Sequence, residues 1–326
     1  MVLDEKDKNI LYALDINSRM PASKMSKLLG IRKETIIYRI HNLEKSKVLD
    51  KSLMILDLGM IGYSSYKAYI SLHKTTAQKE DEIINYLVNW EKIAFITKCE
   101  GKYDIIFSLF AKNPSDFNLE FNKFLSLYQT NIHSYDTAVT LSGETYPRKF
   151  LSTTQIPKVK KAKWKGEMQK YDLDLIDKKI LSILGKDGKA KLVQIAKEVK
   201  LSPDGVNLRI KKMQKQGLIQ AFKIQLNKFK INYSYHKLFL NTIPLDIEKE
   251  NQVFKYFEAH ENIVFALKNL GKWNYELDVE AREDQKFYQI LRKLKDDLLD
   301  ILLTIESINC YEESKFNYYP FGFSKQ

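Results

Sequence analysis

Hydrophobic positions along the chain alternate between two regimes, one repeating near every 3.6 residues and one every second residue. In the first, Ile10, Leu11 and Leu14 share a face of a helix over about 5–15, with Asp4 placed to cap it. A turn at Asn17-Ser18-Arg19 leads to a short helix over 22–29, carrying Met25, Leu28 and Leu29 and stopped by Gly30. A longer helix over 33–45 has the stripe Ile36, Ile40 and Leu43. Val48-Leu49 and 53–56 then read as strands of a β-wing. Three short helices with a tight turn before the third make a helix-turn-helix, whose third helix enters a DNA major groove.

The second regime follows. Strands are predicted over 65–73, 93–99, 104–111 and 132–141, and helices over 78–90 and 116–128. Their order, β-α-β-β-α-β, is that of a ferredoxin-like unit.

The whole pattern occurs twice. Leu3-Asp4-x-x-Asp7-Lys8-x-Ile10-Leu11-x-x-Leu14 recurs as Leu173-Asp174-x-x-Asp177-Lys178-x-Ile180-Leu181-x-x-Leu184, 170 residues later. The same offset relates Arg39-Ile40 to Arg209-Ile210 and Gly101-Lys102 to Gly271-Lys272. So long a period is a duplicated two-domain unit and not a solenoid. The fold class is therefore α+β, two winged helix-turn-helix domains alternating with two ferredoxin-like βαββαβ domains. The expected domains are 1–57, 58–141, a basic linker over 142–171, 172–227, 228–312 and a C-terminal tail over 313–326. Pro157, Gly166 and dense lysine mark the linker; it is either a solvated tether or an arm on phosphates.

The faces of the third helices turned away from their stripes, with the helix starts, are the candidate DNA contacts. These are Arg32, Lys33, Thr35, Tyr38 and His41 in copy 1, and Ser202, Asp204, Asn207, Leu208 and Lys211 in copy 2. The plainer reading of each is the solvated side of an amphipathic helix. Arg39 and Arg209 flank the stripes and have two readings, a phosphate contact or an internal carboxylate pair. In copy 2, Ser202-Pro203 gives the helix an N-cap and a proline at its first position; copy 1 has Ile31-Arg32-Lys33 there.

The copies also differ in one strand. Tyr275-Glu276-Leu277-Asp278-Val279-Glu280 puts three carboxylates on one face, whereas 105–110 is apolar on nearly both. Lys237 on the neighbouring strand is placed to neutralise part of that acidic layer.

Composition narrows the classes. Apolar content is 44% and the formal net charge +12 over 326 residues, so a folded chain is favoured over a disordered one, and the basic balance reads either as attraction to polyanionic partners or as a lysine-rich surface kept for solubility. Cys99 and Cys310 lie in no metal-ligand spacing and read as buried reduced thiols of a cytoplasmic protein. Met1–Lys6 has no apolar core of a secretory signal, and no apolar run reaches the ~18 residues of a membrane span. No cofactor or metal is expected, and no G-x-S-x-G, P-loop or zinc pattern is present.

Each half resembles a regulator of the leucine-responsive regulatory protein/AsnC (Lrp/AsnC) family. The residues that carry this are Leu3-Asp4-x-x-Asp7-x-x-Ile10-Leu11, Gly30-Ile31, Arg39-Ile40-x-x-Leu43, Val48-Leu49 and Gly101-Lys102-Tyr103-Asp104. In copy 2 they are Leu173-Asp174-x-x-Asp177, Leu201-Ser202-Pro203, Arg209-Ile210, Gly217-Leu218-Ile219 and Gly271-Lys272-Trp273-Asn274. The resemblance covers most of 3–140 and 173–312. It implies double-stranded DNA as partner, an αβ domain that senses a small effector such as an amino acid, and dimers formed sheet against sheet, sometimes assembling further. The family usually has one unit per chain, so this chain resembles a covalent pseudo-dimer. The resemblance places effector binding near Gly101 and Asp104 and near Gly271 and Asn274; the plainer reading of the two glycines is a hairpin turn. Asp104 is suited to an α-ammonium group, which neutral Asn274 matches less well.

Two other functions compete. Siroheme decarboxylases also pair two such units, but they should carry histidine and arginine around the second and third strands, and 93–100 and 263–270 contain neither. The other is a regulator that binds protein partners, its helix-turn-helix domains vestigial.

Overall fold

The computed structural model describes residues 3–151, 161–164 and 171–319. In copy 1 the helices α1 (Glu5–Ile16), α2 (Ala22–Leu29) and α3 (Lys33–Lys45) precede β1 (Leu49–Leu56). There follow β2 (Ser64–Leu72), α4 (Ala77–Asn89), β3 (Ile93–Glu100), β4 (Ile105–Ala111), α5 (Pro114–Leu127) and β5 (Ile132–Thr145). A short strand, β6 (Ala162–Trp164), comes before copy 2. Copy 2 repeats the order with α6 (Leu175–Lys186), α7 (Leu192–Val199), α8 (Pro203–Lys215), β7 (Ile219–Leu226), β8 (Ser234–Thr242), α9 (Ile247–Ala259), β9 (Ile263–Gly271), β10 (Tyr275–Ala281), α10 (Asp284–Asp297) and β11 (Leu302–Phe316).

Local chemistry sets the helix ends. Asp4 and Asp174 accept from the backbone N–H of Asp7 and Asp177 at 2.8 and 2.7 Å, capping α1 and α6. Gly30 closes α2 at φ +66°, a left-handed conformation that glycine adopts without strain. Ser202 caps α8 through Gly205 N–H at 3.0 Å, whereas Arg32 gives α3 no side-chain cap.

The strand after each third helix is not part of a local wing. β1 and β7 pair with each other, antiparallel, as a two-stranded ribbon. Leu53 stands opposite Lys223, its own counterpart 170 residues on, so the pseudo-twofold axis passes between them. The wing expected within each copy is thus a ribbon between copies. The cores interlock accordingly. Ile224, Leu226 and Ile231 complete the apolar core around α1, α2 and α3, while Met54, Leu56 and Leu58 complete that around α6, α7 and α8.

The αβ domains are joined just as closely. Four strands from each close into one ring of eight, in the order β2-β4-β3-β11-β8-β10-β9-β5 and back to β2. β3 with β11 and β5 with β9 form the two seams. Closure leaves no bare edge at either seam. Alternate residues then face either the helices outside or the space between the two sheets. On β10, Leu277 and Val279 pack under the helices with Phe257, Ile290 and Leu294. Glu276, Asp278 and Glu280 are also buried, so the polar layer lies inside, between the sheets.

Two boundaries differ from expectation. β5 runs on to Thr145 and β6 pairs with it, so 142–145 and 162–164 are sheet and not tether. The remaining Pro157–Lys160 and Lys165-Gly166 of the basic run lie outside the described residues. β11 likewise runs to Phe316, and Tyr319 enters the core around α6. The tail is thus packed as far as the described residues reach.

Candidate nucleic-acid interface and the junctions behind it

On α3, Arg32, Lys33, Tyr38 and His41 are exposed and Thr35 is half-buried. On α8, Ser202, Asp204, Leu208 and Lys211 are exposed and Asn207 is half-buried. Tyr38 and Leu208 occupy the same position in the two copies, and each is 67% exposed. The outer faces are therefore alike in placement and unlike in chemistry: cationic and aromatic in copy 1, more neutral in copy 2.

Arg39 and Arg209 belong elsewhere. One nitrogen of Arg39 donates to Asp4 at 2.7 Å and to Asp7 at 2.8 Å. Arg209 repeats this with Asp174 and Asp177 at 2.6 and 2.8 Å. Of the two readings open from sequence, the geometry is that of the internal pair. Each arginine ties the third helix to the capped start of the first, and its hydrogen bonds to the carboxylates hold its own proton more firmly than usual.

The Gly-Lys loops face the other copy. Gly101 has φ +129°, and a side chain on Gly271 would collide with the backbone of Thr137 and Ala138. Lys102 reaches Glu306 at 3.0 Å and Lys272 reaches Asp136 at 2.7 Å, each bridge crossing between copies. Asp104 and Asn274 do one job: Asp104 Oδ2 accepts from Leu72 N–H at 2.6 Å, and Asn274 Oδ1 from Thr242 N–H at 2.8 Å.

Between the sheets lies a set of charges that sequence reading found only in part. Lys237 donates to Glu276 at 2.8 Å and to Asp278 at 2.6 Å, as its strand position suggested. Its counterpart Lys67, missed from sequence, also binds Glu276. Tyr69 and Tyr235 hydroxyls complete the two carboxylates at 2.7 and 2.8 Å. Burial would raise the Glu276 carboxyl, but Lys237 and Lys67 outweigh it and hold it at about 2. Cys99 and Cys310, distant in sequence, stand opposite one another across the β3–β11 seam as free thiols, Sγ to Sγ 3.5 Å.

A second network joins a helix-turn-helix domain to the sheets. Arg148 donates from its backbone and side chain to Asp15 of α1, at 2.9 and 2.7 Å, and as a fork to Glu280 of β10, at 2.8 and 2.9 Å. Lys223 lies 3.6 Å from Asp15 and donates to Tyr146 O at 2.7 Å. The pseudo-equivalent junction is apolar. Gly185, Tyr318 and Phe110 stand where copy 1 and its partner strand have Asp15, Arg148 and Glu280, and Phe110, Leu184 and Tyr319 share one hydrophobic cluster.

Residues 3–44 match the model of the AsnC-type helix-turn-helix domain, and 173–220 match that of a winged helix-turn-helix DNA-binding domain. The HTH-type transcriptional regulator FL11 of Pyrococcus horikoshii is 34% identical over 125 residues, which are 38% of this chain and 79% of that protein. The chain belongs to the Lrp/AsnC family of transcriptional regulators. The regulatory protein AsnC of Haemophilus influenzae is 25% identical over 138 residues, 42% of this chain and 91% of its own length. Each of these Lrp/AsnC relatives thus spans about one of the two units here. A siroheme decarboxylase, NirDL, superposes over 98% of this chain and 95% of its own, with a TM-score of 0.61 and 13% identity. At that identity the likeness is one of fold. No helix among the described residues is long and apolar enough to cross a membrane, and no cluster of metal-ligating side chains is found among them.

Proposed function

We propose that the chain is a sequence-specific DNA-binding transcriptional regulator, a covalent pseudo-dimer whose helices α3 and α8 read the two halves of one asymmetric site. The observation that carries this reading is the β1–β7 ribbon centred on Leu53 and Lys223. Two half-site readers need a fixed separation. Here one chain fixes it by pairing the strands that follow the two recognition helices. Contacts between the domains strengthen the hold, with Arg19 donating to the backbone oxygens of Gly188 and Ala190 at 2.6 and 3.3 Å. The names of the relatives support regulation as the role, and neither β3 nor β9 carries the histidine or arginine expected of a tetrapyrrole decarboxylase.

Arg32, Lys33, Thr35, Tyr38 and His41 would contact one half-site, and Ser202, Asp204, Asn207 and Lys211 the other. Selection of binding sites from a random duplex pool, followed by gel shift in low salt, tests this. The expected result is a non-palindromic consensus bound by one chain. No shifted band with any selected duplex would leave protein-partner binding as the role.

An amino-acid effector at the Gly101–Asp104 and Gly271–Asn274 loops is the finer reading. Calorimetry with an amino-acid panel on wild type and on Asp104→Ala tests it, and equal affinities would remove Asp104 from the site. Light scattering with and without the binding amino acid reads any further self-association.

A further inference from the structure

We propose that the cavity between the two sheets is a binding site for a short-chain aliphatic carboxylate. The cavity has a volume of about 100 Å³. Its walls are largely apolar, formed by Phe95, Phe265, Leu267 and Phe316, with Lys67, Lys237, Asp57, Asp278, Ser108 and Thr140 among its polar groups. A cavity of ~150 Å³ holds a six-carbon ring, so this one suits a body of about four carbons.

The polar groups choose the sign of the ligand. Both oxygens of Asp278 are engaged, Oδ1 by Lys237 and Oδ2 by the Tyr235 hydroxyl. Neither is left to receive an ammonium group as its main partner. Lys67 has the opposite surplus. Its ammonium carries three N–H donors, and the hydrogen bond it makes is to Glu276, an acceptor it shares with Lys237. Burial lowers the Lys67 pKa, and the nearby Glu276 and Asp278 only partly restore it. Thr140 is 9% exposed, and its hydroxyl is buried with no hydrogen-bond partner in the protein. Buried hydroxyls are rarely left so. A carboxylate accepting from Lys67 and Thr140, with its alkyl group among the phenylalanines, satisfies both.

The site is distinct from the Gly101 and Gly271 loops, and at the pseudo-equivalent place the paired Glu280 and Arg148 stand where this cavity has Phe110 and Tyr318. It is also independent of the DNA reading, so its test uses no DNA. Isovalerate and isobutyrate are titrated calorimetrically into the full chain, with isopentylamine and isobutylamine as the matched cations. The acids are expected to bind and the amines not to. Lys67→Gln should weaken isovalerate at least tenfold, and Ser108→Leu, which fills the cavity from β4, should abolish binding. Thermal melts of both variants check that each is folded. Absence of heat with either acid at millimolar concentration, equal binding of acid and amine, or isovalerate binding unchanged in folded Ser108→Leu would each overturn the proposal.

Discussion

The Arg148 guanidinium forks onto the Glu280 carboxylate, Nε and Nη2 each donating to one oxygen at 2.8 and 2.9 Å. Both groups are buried, and Arg148 also holds Asp15 of α1. Burial would lower the arginine's pKa; Glu280 and Asp15 outweigh it and raise it further. This fork is the main polar tie between the first helix-turn-helix domain and the sheet of the second copy. Its pseudo-equivalent, around Gly185 and Tyr318, is a hydrophobic contact.

Removing one partner strands the others without solvent. Glu280→Ala should therefore destabilise the chain by about 3–5 kcal/mol. Phe110→Ala, at the matching place in the apolar junction, should cost a similar ~3–5 kcal/mol through lost burial and a cavity. Neither penalty should depend much on salt, because the fork is buried and little screened and the apolar contact carries no charge. Urea melts of both variants in low and high salt measure this. A Glu280→Ala penalty below about 1 kcal/mol would show that the fork is not a structural tie.

His236 gives the chain a pH window of its own. Its ring stacks on Phe287 at 3.7 Å between centroids, and its Nε2 lies 3.0 Å from Ser234 Oγ. Burial pushes its pKa down to about 4, against a weaker opposing pull from Asp284. The unfolded chain, with an ordinary value near 6.5, binds the proton first. Stability is therefore fully present above about 6.5 and declines as pH falls toward 4, by up to about 3 kcal/mol. Copy 1 supplies the control, since Tyr66 stacks on Phe117 at the equivalent place. His236→Tyr should flatten the slope of stability between pH 6.5 and 4, as read by urea melts at stepped pH.

What could be read from sequence depended on how local the cause was. The capped starts at Asp4 and Ser202, the Gly30 stop and the apolar stripes of α3 and α8 lie within one turn of their effects, and they stand where periodicity put them. The β1–β7 ribbon was misread because a strand's pattern does not name its partner. β5 was cut short at 141 because Ser142-Gly143-Glu144-Thr145 is polar and holds a glycine. That glycine is needed where Trp164 and Leu267 crowd the strand, and Glu144 is neutralised by Lys161 and Lys163 of the supposed linker. Lys67 sat in an alternating strand like any surface lysine, and its partner Glu276 is 209 residues away. The signal that could have found it is the duplication itself, since Lys67 and Lys237 share a position.

The paired arginines should behave as braces in solution. Arg39→Ala and Arg209→Ala each free two carboxylates near a helix start, at sites about a quarter exposed on the arginine side. A loss of about 1 kcal/mol each is expected, within the range for partly exposed ion pairs to which an N-cap also contributes. The salt dependence of DNA affinity should stay the same, because each guanidinium is already paired with two carboxylates. A reduction of the slope by about one in either variant would mean that the arginine leaves its carboxylates on the DNA.

The recognition helices should divide the work of binding. Lys33 begins α3 and is exposed, beside Arg32 and on a helix that also presents Tyr38 and His41. That set offers positive charge and a ring, which suit phosphates and guanine edges. Asn207 lies one turn into α8, half-buried, on a helix whose exposed start is Ser202 and Asp204. An asparagine there suits the paired donor and acceptor of adenine, while the Asp204 carboxylate repels phosphate and favours a cytosine amino group. Copy 1 should thus supply most of the salt-dependent affinity and copy 2 more of the discrimination. Lys33→Ala should weaken selected and scrambled duplexes alike and reduce the salt slope by about one. Asn207→Ala should cost about 1–3 kcal/mol on the selected duplex and little on the scrambled one. Affinities for both duplexes across a salt series measure the two effects together. If Lys33→Ala leaves the slope unchanged, or Asn207→Ala weakens both duplexes equally, the two helices do not divide the task in this way.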